Sequence, residues 1–218
     1  MSKIGNIFLV WRKGPGARRI TVGKIKQNSS HGTRFEYIQE NIEKAIEEGF
    51  IPYTGFPKTD KKYNENVIEI FSQRLSKAER NDLSDFYTFW RVNPLKKTDA
   101  YYMLSQTQGL LPIDNFEFLT NFNPKKGLNF VTEIAGLTKT KIPSENVSVG
   151  DSLSFKLDTT NSFDKFAVKL YKNNQLIGYV KLIHSIVFHK RKMNINIKVH
   201  HIEKNGILKR VFIEIKCS

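Results

Sequence analysis

Alternation of apolar and polar positions predicts most of the second half of this chain. Residues 152–157, 194–200 and 211–215 place apolar side chains at every second position, as half-buried strands do. Asn205-Gly206, between the last two stretches, is a strong hairpin-turn signal. Helical spacing of apolar residues from Leu182 to Val187 predicts one short helix, with His184 toward its polar side, and a further strand is predicted from Phe166 to Tyr171. These elements together predict a small β-barrel with a helix over one end.

The first half mixes strand and helix periodicity. Strands are predicted at 7–12, 20–26 and 33–38, with a hairpin between the first two. Apolar residues at helical spacing predict helices at 41–48, 67–75, 76–90 and 99–108, and residues 110–119 are expected to end in a strand. Segment 64–66 is expected to cap the second helix, and residues 76–79 fit a capping box. The fold class is therefore α+β.

A polar, proline-containing stretch divides the chain. Residues 121–126 are predicted to link an N-terminal module, 1–120, to a barrel over 127–218. The formal net charge is +14 in 218 residues. Residues 1–124 hold 18 Lys/Arg and 14 Asp/Glu, whereas residues 125–218 hold 17 and 7. The excess positive charge of the second half attracts polyanions, although it also serves solubility.

Several classes of protein are disfavoured by composition. No apolar run approaches the length of a membrane span, and no secretory signal is read at the N-terminus, so a cytoplasmic location is expected. Cys217 is the single cysteine, and the five histidines are scattered, so no metal site or cofactor is expected. No set of a nucleophile with a general base stands out, so the chain is predicted not to be an enzyme. A nuclease is also disfavoured, because the sequence has no clustered carboxylates to bind its metal ions.

One motif gives a more specific expectation. Residues 160–171 read Thr-Asn-Ser-Phe-Asp-Lys-Phe-Ala-Val-Lys-Leu-Tyr, and residues 176–180 read Leu-Ile-Gly-Tyr-Val. With an upstream Gly-Asp-Ser-Leu at 150–153 and a downstream helix, this resembles the HIRAN domain over about 127–218. The resemblance implies a small OB-like barrel that holds single-stranded DNA, in some members at its 3′ end.

The resemblance also implies site residues. The family's aromatic residue, which packs on a terminal base, falls on Phe163, and its aspartate, which accepts a hydrogen bond from the 3′ hydroxyl, falls on Asp164. The remaining candidates from the motif are Asn161, Lys165, Tyr179 and Lys181, with Lys181 as the phosphate contact. The alternatives are core packing for Phe163 and an Asx turn for Asp164. Residues 132–136 depart from the family's basic-aromatic pair, which puts end-specific binding in doubt.

The first half resembles the N-terminal subdomain of HipA-type kinase toxins. The resemblance rests on Val-Trp at 10–11, Val-Gly at 22–23, Phe-Glu-Tyr at 35–37, Phe-Ser-Gln-Arg-Leu-Ser at 71–76 and Asp-Asn-Phe-Glu-Phe at 114–118. It implies an interaction module, because no Gly-rich phosphate loop or kinase catalytic set occurs in the chain.

Two functions follow as expectations. The first is a non-catalytic protein that binds single-stranded DNA or DNA 3′ ends, with the N-terminal module recruiting a protein partner in defence, DNA repair or toxin–antitoxin regulation. The alternative is a regulatory or antitoxin-like subunit of a separate HipA-like kinase, without end-specific DNA binding.

Overall fold

The chain folds as two compact units. The computed structural model describes residues 4–75, 83–190 and 193–218. One unit ends at Asn121, and the other spans Phe122–Ser218. Among the described residues, no helix combines the length and the apolar character that a bilayer span requires.

The first unit is built on a five-stranded antiparallel sheet. Its strands are β1 (Ile7–Trp11), β2 (Ile20–Asn28), β3 (Gly32–Tyr37), β4 (Lys62–Tyr63) and β5 (Phe116–Thr120), in the order β4-β3-β2-β1-β5. The described helices are α1 (Gln39–Glu47), α2 (Val67–Ser72), α3 (Leu83–Phe89) and α4 (Ala100–Thr107), with a 3₁₀ turn at Pro94–Lys96. The predicted hairpin, the third strand and the strand that ends segment 110–119 are confirmed.

Aromatic residues fill the core of this unit. Phe35, Phe56, Phe71 and Phe118 are all at most 1% exposed and pack in one cluster. The cap predicted before α2 is partly wrong: Asn66 occupies the N-cap position with φ 50°, but its side chain makes no capping hydrogen bond. The capping box predicted at residues 76–79 lies outside the described residues.

The second unit is a closed six-stranded barrel. Its strands are β6 (Asn129–Ala135), β7 (Ser152–Leu157), β8 (Val168–Lys172), β9 (Gln175–Val180), β10 (Ile195–Asn205) and β11 (Ile207–Cys217), in the order β10-β11-β6-β9-β8-β7. Two short helices, α5 (Leu137–Thr140) and α6 (Val187–Lys190), and 3₁₀ turns at Ser144–Asn146 and Leu182–Ile186 complete it. The predicted α+β fold with a small barrel is confirmed.

Most of the alternating positions line the barrel as predicted, whereas Leu157, at the end of β7, is 44% exposed. Val211, Ile213 and Ile215 are fully buried in the barrel core. Gly178 is required by a close approach, because a Cβ there would lie 2.5 Å from Ile134 Cγ2 and 2.6 Å from the carbonyl oxygen of Ala135.

Three expectations need correction. Phe122, assigned to the linker, packs in the barrel core with its ring 4.5 Å from that of Phe130. His184, expected on the polar side of the helix, is fully buried, and its Nδ1 lies 2.7 Å from Thr132 Oγ1. The strand expected from Phe166 begins at Val168, because the two residues before it close a loop.

Candidate nucleic-acid interface

The predicted motif forms a closed loop between β7 and β8. We call residues 158–167 the Phe163 loop. The amide of Asp158 donates to the carbonyl of Ala167 at 2.8 Å, and the amide of Ala167 donates to the carbonyl of Asp164 at 3.0 Å. These bonds join the two ends of the loop, so its shape is set by local pairing at the rim of the barrel.

The Asn161 side chain organises the loop from within. Its Oδ1 accepts hydrogen bonds from the amides of Phe163 and Asp164, both at 3.0 Å. Its Nδ2 donates to Asp158 Oδ2 at 3.2 Å. Asparagine favours such side-chain-to-backbone bonds in turns, and here they place the following aromatic residue on the surface.

Asp158 is a buried anchor that the sequence analysis did not identify. Its carboxylate accepts from Asn161, from Thr160 Oγ1 at 3.2 Å and from Lys169, whose Nζ lies 3.1 Å away. The hydrogen bond from Asn161 is the main cause that lowers the pKa of the Asp158 carboxyl, and Lys169 adds to it. The hydrogen bond to Asp158 in turn raises the pKa of Lys169. An acidic residue just before Thr-Asn-Ser was the signal available in the sequence.

Two aromatic rings on this loop face solvent. Phe163 is 70% exposed, and Phe166 is 37% exposed. The ammonium of Lys139 lies 5.5 Å from the centre of the Phe163 ring, and that of Lys165 lies 5.2 Å from the Phe166 ring. His189 Nε2 lies 3.1 Å from the Phe166 carbonyl oxygen. Core packing is thus wrong for Phe163, which is presented beside a cation.

Asp164 forms the expected Asx turn. Its Oδ1 accepts from the amide of Phe166 at 2.8 Å, and the residue is partly exposed. The hydrogen bond uses one carboxylate oxygen. Asp164 can therefore form the Asx turn and still contact a ligand through Oδ2.

The outer face of the sheet beside the loop continues the pattern. Lys156 is directly opposite Lys169, which is opposite Tyr179, across β7, β8 and β9. Residues opposite each other in neighbouring strands share a face, so two lysines and a tyrosine form one row there. Lys156 also lies 5.4 Å from the Tyr171 ring. Tyr179 is half-buried, and its ring is close to Gly136, the N-cap residue just before α5.

Lys181 contradicts its predicted role. Its side chain is fully buried, and its Nζ lies 3.3 Å from Glu133 Oε2. Arg210 Nε lies 3.4 Å from the other oxygen of the same carboxylate. A lysine enclosed in the barrel and paired with a carboxylate does not reach a phosphate at the surface. The structure therefore brings together Asn161, Phe163, Asp164 and Lys165 and excludes Lys181.

No group of three or more histidine, cysteine or carboxylate side chains in the described part of the chain is arranged to hold a metal ion. The surface around the Phe163 loop consists of exposed rings, lysines and one partly exposed carboxylate. Such groups bind by stacking, by charge and by hydrogen bonding.

Comparison with protein-family models found no match. Comparison with curated proteins found none either. Among solved structures, the chain is similar to the HIRAN domain of human HLTF, with 17% identity and a TM-score of 0.32 over 40% of this chain and 74% of that one. It is also similar to a protein from Lactobacillus plantarum, with 11% identity and a TM-score of 0.33 over 42% of this chain and 95% of that one. The function proposed below rests on the site itself.

Proposed function

We propose that the barrel binds single-stranded nucleic acid, with the Phe163 ring as a platform on which a base stacks. The observation that carries the proposal is the 70% exposure of Phe163 on a loop that Asn161 holds in place. Leaving a large ring in water has no packing benefit, whereas stacking one base on it contributes about 1–3 kcal/mol. Phe166 and Tyr179 offer further rings beside it.

Lysines supply the phosphate contacts of this proposal. Lys139 and Lys165 lie beside the exposed rings, and Lys156 lies on the adjoining sheet face. Aromatic rings with lysines beside them suit a strand whose bases stack while its phosphates meet the lysines. This pattern replaces the role that the sequence assigned to Lys181.

We further propose that Asp164 reads the 3′ hydroxyl of a DNA end. A carboxylate inside a basic surface repels phosphate, so a hydroxyl donor is its natural partner. Its Oδ1 is occupied by the amide of Phe166, which leaves Oδ2 for the ligand. The chain is proposed to act by binding, without catalysing a reaction.

The test is fluorescence anisotropy of the full chain with short single strands. We expect binding that weakens with salt, with a slope of about −0.7 in log K against log salt for each phosphate neutralised. A 3′ hydroxyl should be preferred over a 3′ phosphate, and Asp164→Asn should remove that preference. Absence of single-strand binding to both DNA and RNA would refute the proposal. Binding with no end preference would refute the role of Asp164 alone.

A second candidate is favoured by the surface of the first unit. Leu95 is 91% exposed, Ile113 88% and Ile51 76%. Large apolar side chains that adjoin one another on a surface suit contact with another protein. On this reading the first unit recruits a partner, and in the alternative form the chain regulates a separate HipA-like kinase. That alternative predicts a stoichiometric complex with such a kinase in size-exclusion chromatography and no preference for a 3′ end.

A further inference from the structure

The β10–β11 hairpin is longer than the strands that flank it. β6 pairs with β11 over Phe212–Lys216, and β7 pairs with β10 at Ile197 and Lys198. The residues just before β7 add backbone hydrogen bonds to Val199. Residues 202–211 pair across the hairpin with one another. We call this two-stranded segment, described in full by the structure, the ribbon arm. At about 3.3 Å per residue, its strands of four and five residues are roughly 13 and 17 Å long.

One side of the arm rests on the barrel. Ile202, near the base, and Leu208, near the turn, both pack against the barrel core. The Arg210 guanidinium lies 4.5 Å from the Phe212 ring centre and 3.3 Å from Glu203 Oε1, in addition to its contact with Glu133. These contacts hold the arm against the barrel along one side and leave residues 204–207 and Lys209 exposed.

The tip of the arm combines positive charge with an exposed apolar residue. Gly206, at φ +72°, makes the turn. Ile207 follows it and is 71% exposed. Lys204 precedes the turn and Lys209 follows it, and both are exposed. A partner that buries the Ile207 side chain and places anionic groups beside Lys204 and Lys209 would interact favourably with all three residues.

We propose that the ribbon arm enters a groove of duplex nucleic acid, with Lys204 and Lys209 on phosphates and Ile207 against the bases. The major groove, about 12 Å wide, admits a two-stranded ribbon. In that groove an apolar side chain can contact the methyl group of thymine. A lipid surface also offers phosphates and apolar contact, but stable insertion uses a broad apolar face, and the tip has one isoleucine.

This binding site is independent of the Phe163 loop. It adds a second class of ligand, the duplex, to the single strand proposed above. Duplex binding is therefore measured on a fluorescein-labelled, covalently closed duplex circle, which has neither ends nor single-stranded segments. Single-strand binding is measured separately on a thymidine oligonucleotide, so failure of one proposal does not decide the other.

The experiment compares two double variants of the full chain. Lys204→Ala with Lys209→Ala removes the lysines of the arm, and Lys198→Ala with Lys216→Ala removes two exposed lysines from the barrel half of the same strands. The arm variant should lower the slope of log K against log salt on the circle by about 2, one for each phosphate contact. The control should keep the slope. Ile207→Ala should weaken duplex binding at every salt concentration without changing the slope.

Three results would overturn the proposal. The native chain could fail to bind the circle, or the two double variants could weaken binding equally, which would reduce the effect to overall charge. The arm variant could instead lose binding to vesicles of phosphatidylserine and phosphatidylcholine while keeping duplex binding, which would assign the arm to lipid. Thermal melting by circular dichroism, and unchanged binding of the thymidine oligonucleotide, establish that each variant is folded.

Discussion

Replacing Phe163 with alanine should separate binding from stability. The ring is 70% exposed, so the substitution removes little buried surface. The Lys139 ammonium lies 5.5 Å from the ring centre, and an exposed cation–π contact contributes about 0.5–1 kcal/mol. The free energy of unfolding should therefore fall by no more than about 1 kcal/mol, within the ordinary range for a surface substitution.

The effect on binding should be larger than the effect on stability. Loss of one base–aromatic stack is worth about 1–3 kcal/mol, which corresponds to a decrease in affinity of about 5- to 150-fold. The salt slope should stay the same, because the phosphate contacts of Lys139 and Lys165 remain. A change in affinity without a change in slope is the result specific to stacking.

The assay is anisotropy titration of a labelled thymidine oligonucleotide at three salt concentrations. Ile51→Ala is the matched control, because Ile51 is also apolar and 76% exposed but lies in the first unit. Less than a twofold loss for Phe163→Ala, or an equal loss for Ile51→Ala, would refute the stacking platform. Phe163→Trp should retain or increase the affinity.

The remaining predictions concern the residues that support the site. Asn161→Ala should lower the free energy of unfolding by about 1–2 kcal/mol and weaken single-strand binding, because the amides of the loop lose their acceptor; chemical denaturation and anisotropy measure the two effects, and an unchanged affinity would contradict the role given to Asn161. The hydrogen bond from Lys172 lowers the pKa of Asp151, so its stabilisation is complete above the ordinary value of 3.8 and is lost as pH falls through the lower folded value. Thermal midpoints measured between pH 6 and pH 2 should therefore fall less steeply for Asp151→Asn than for the native chain, and parallel curves would be inconsistent with this assignment. Lys181→Ala should lower the free energy of unfolding by about 3 kcal/mol, because it leaves Glu133 buried with fewer partners, yet the folded variant should bind single strands normally; a selective loss of binding would restore the phosphate role of Lys181.

Local patterns in the sequence were sufficient for most of the barrel. Alternation placed Val211, Ile213 and Ile215 on the inside, and Asn205-Gly206 located the hairpin turn. Both features depend on neighbouring residues, since strand periodicity and turn chemistry are local properties. The same holds for the turn at Asn161 and Asp164, whose bonds span two or three residues.

The errors concern residues whose environment is set by distant parts of the chain. Lys181 was predicted at the surface because it follows the Gly-Tyr-Val segment, but its partner, Glu133, comes from β6. His184 lies among Phe122, Phe130 and Thr132, all of them more than fifty positions earlier. No local pattern specifies which strand will enclose a polar side chain, so burial of lysine and histidine could not be read from their neighbours.

The arrangement of the Phe163 loop was also only partly predictable. Its candidate residues were named from the motif, but Asp158 and Lys139 were not. Asp158 acts through bonds to three side chains, and Lys139 approaches Phe163 from α5, more than twenty residues away. The motif therefore identifies the ring, while the barrel supplies the residues that position it and the cation beside it.

The most direct test of the central claim is photocrosslinking of the full chain to a single strand that carries 5-iodouracil, followed by mass spectrometry of the linked peptide. The excited base reacts with an aromatic side chain stacked on it. We predict a major crosslink at Phe163, with minor ones at Phe166 or Tyr179, and loss of the major product in Phe163→Ala. Crosslinks confined to the first unit would contradict the claim that the Phe163 loop binds the strand.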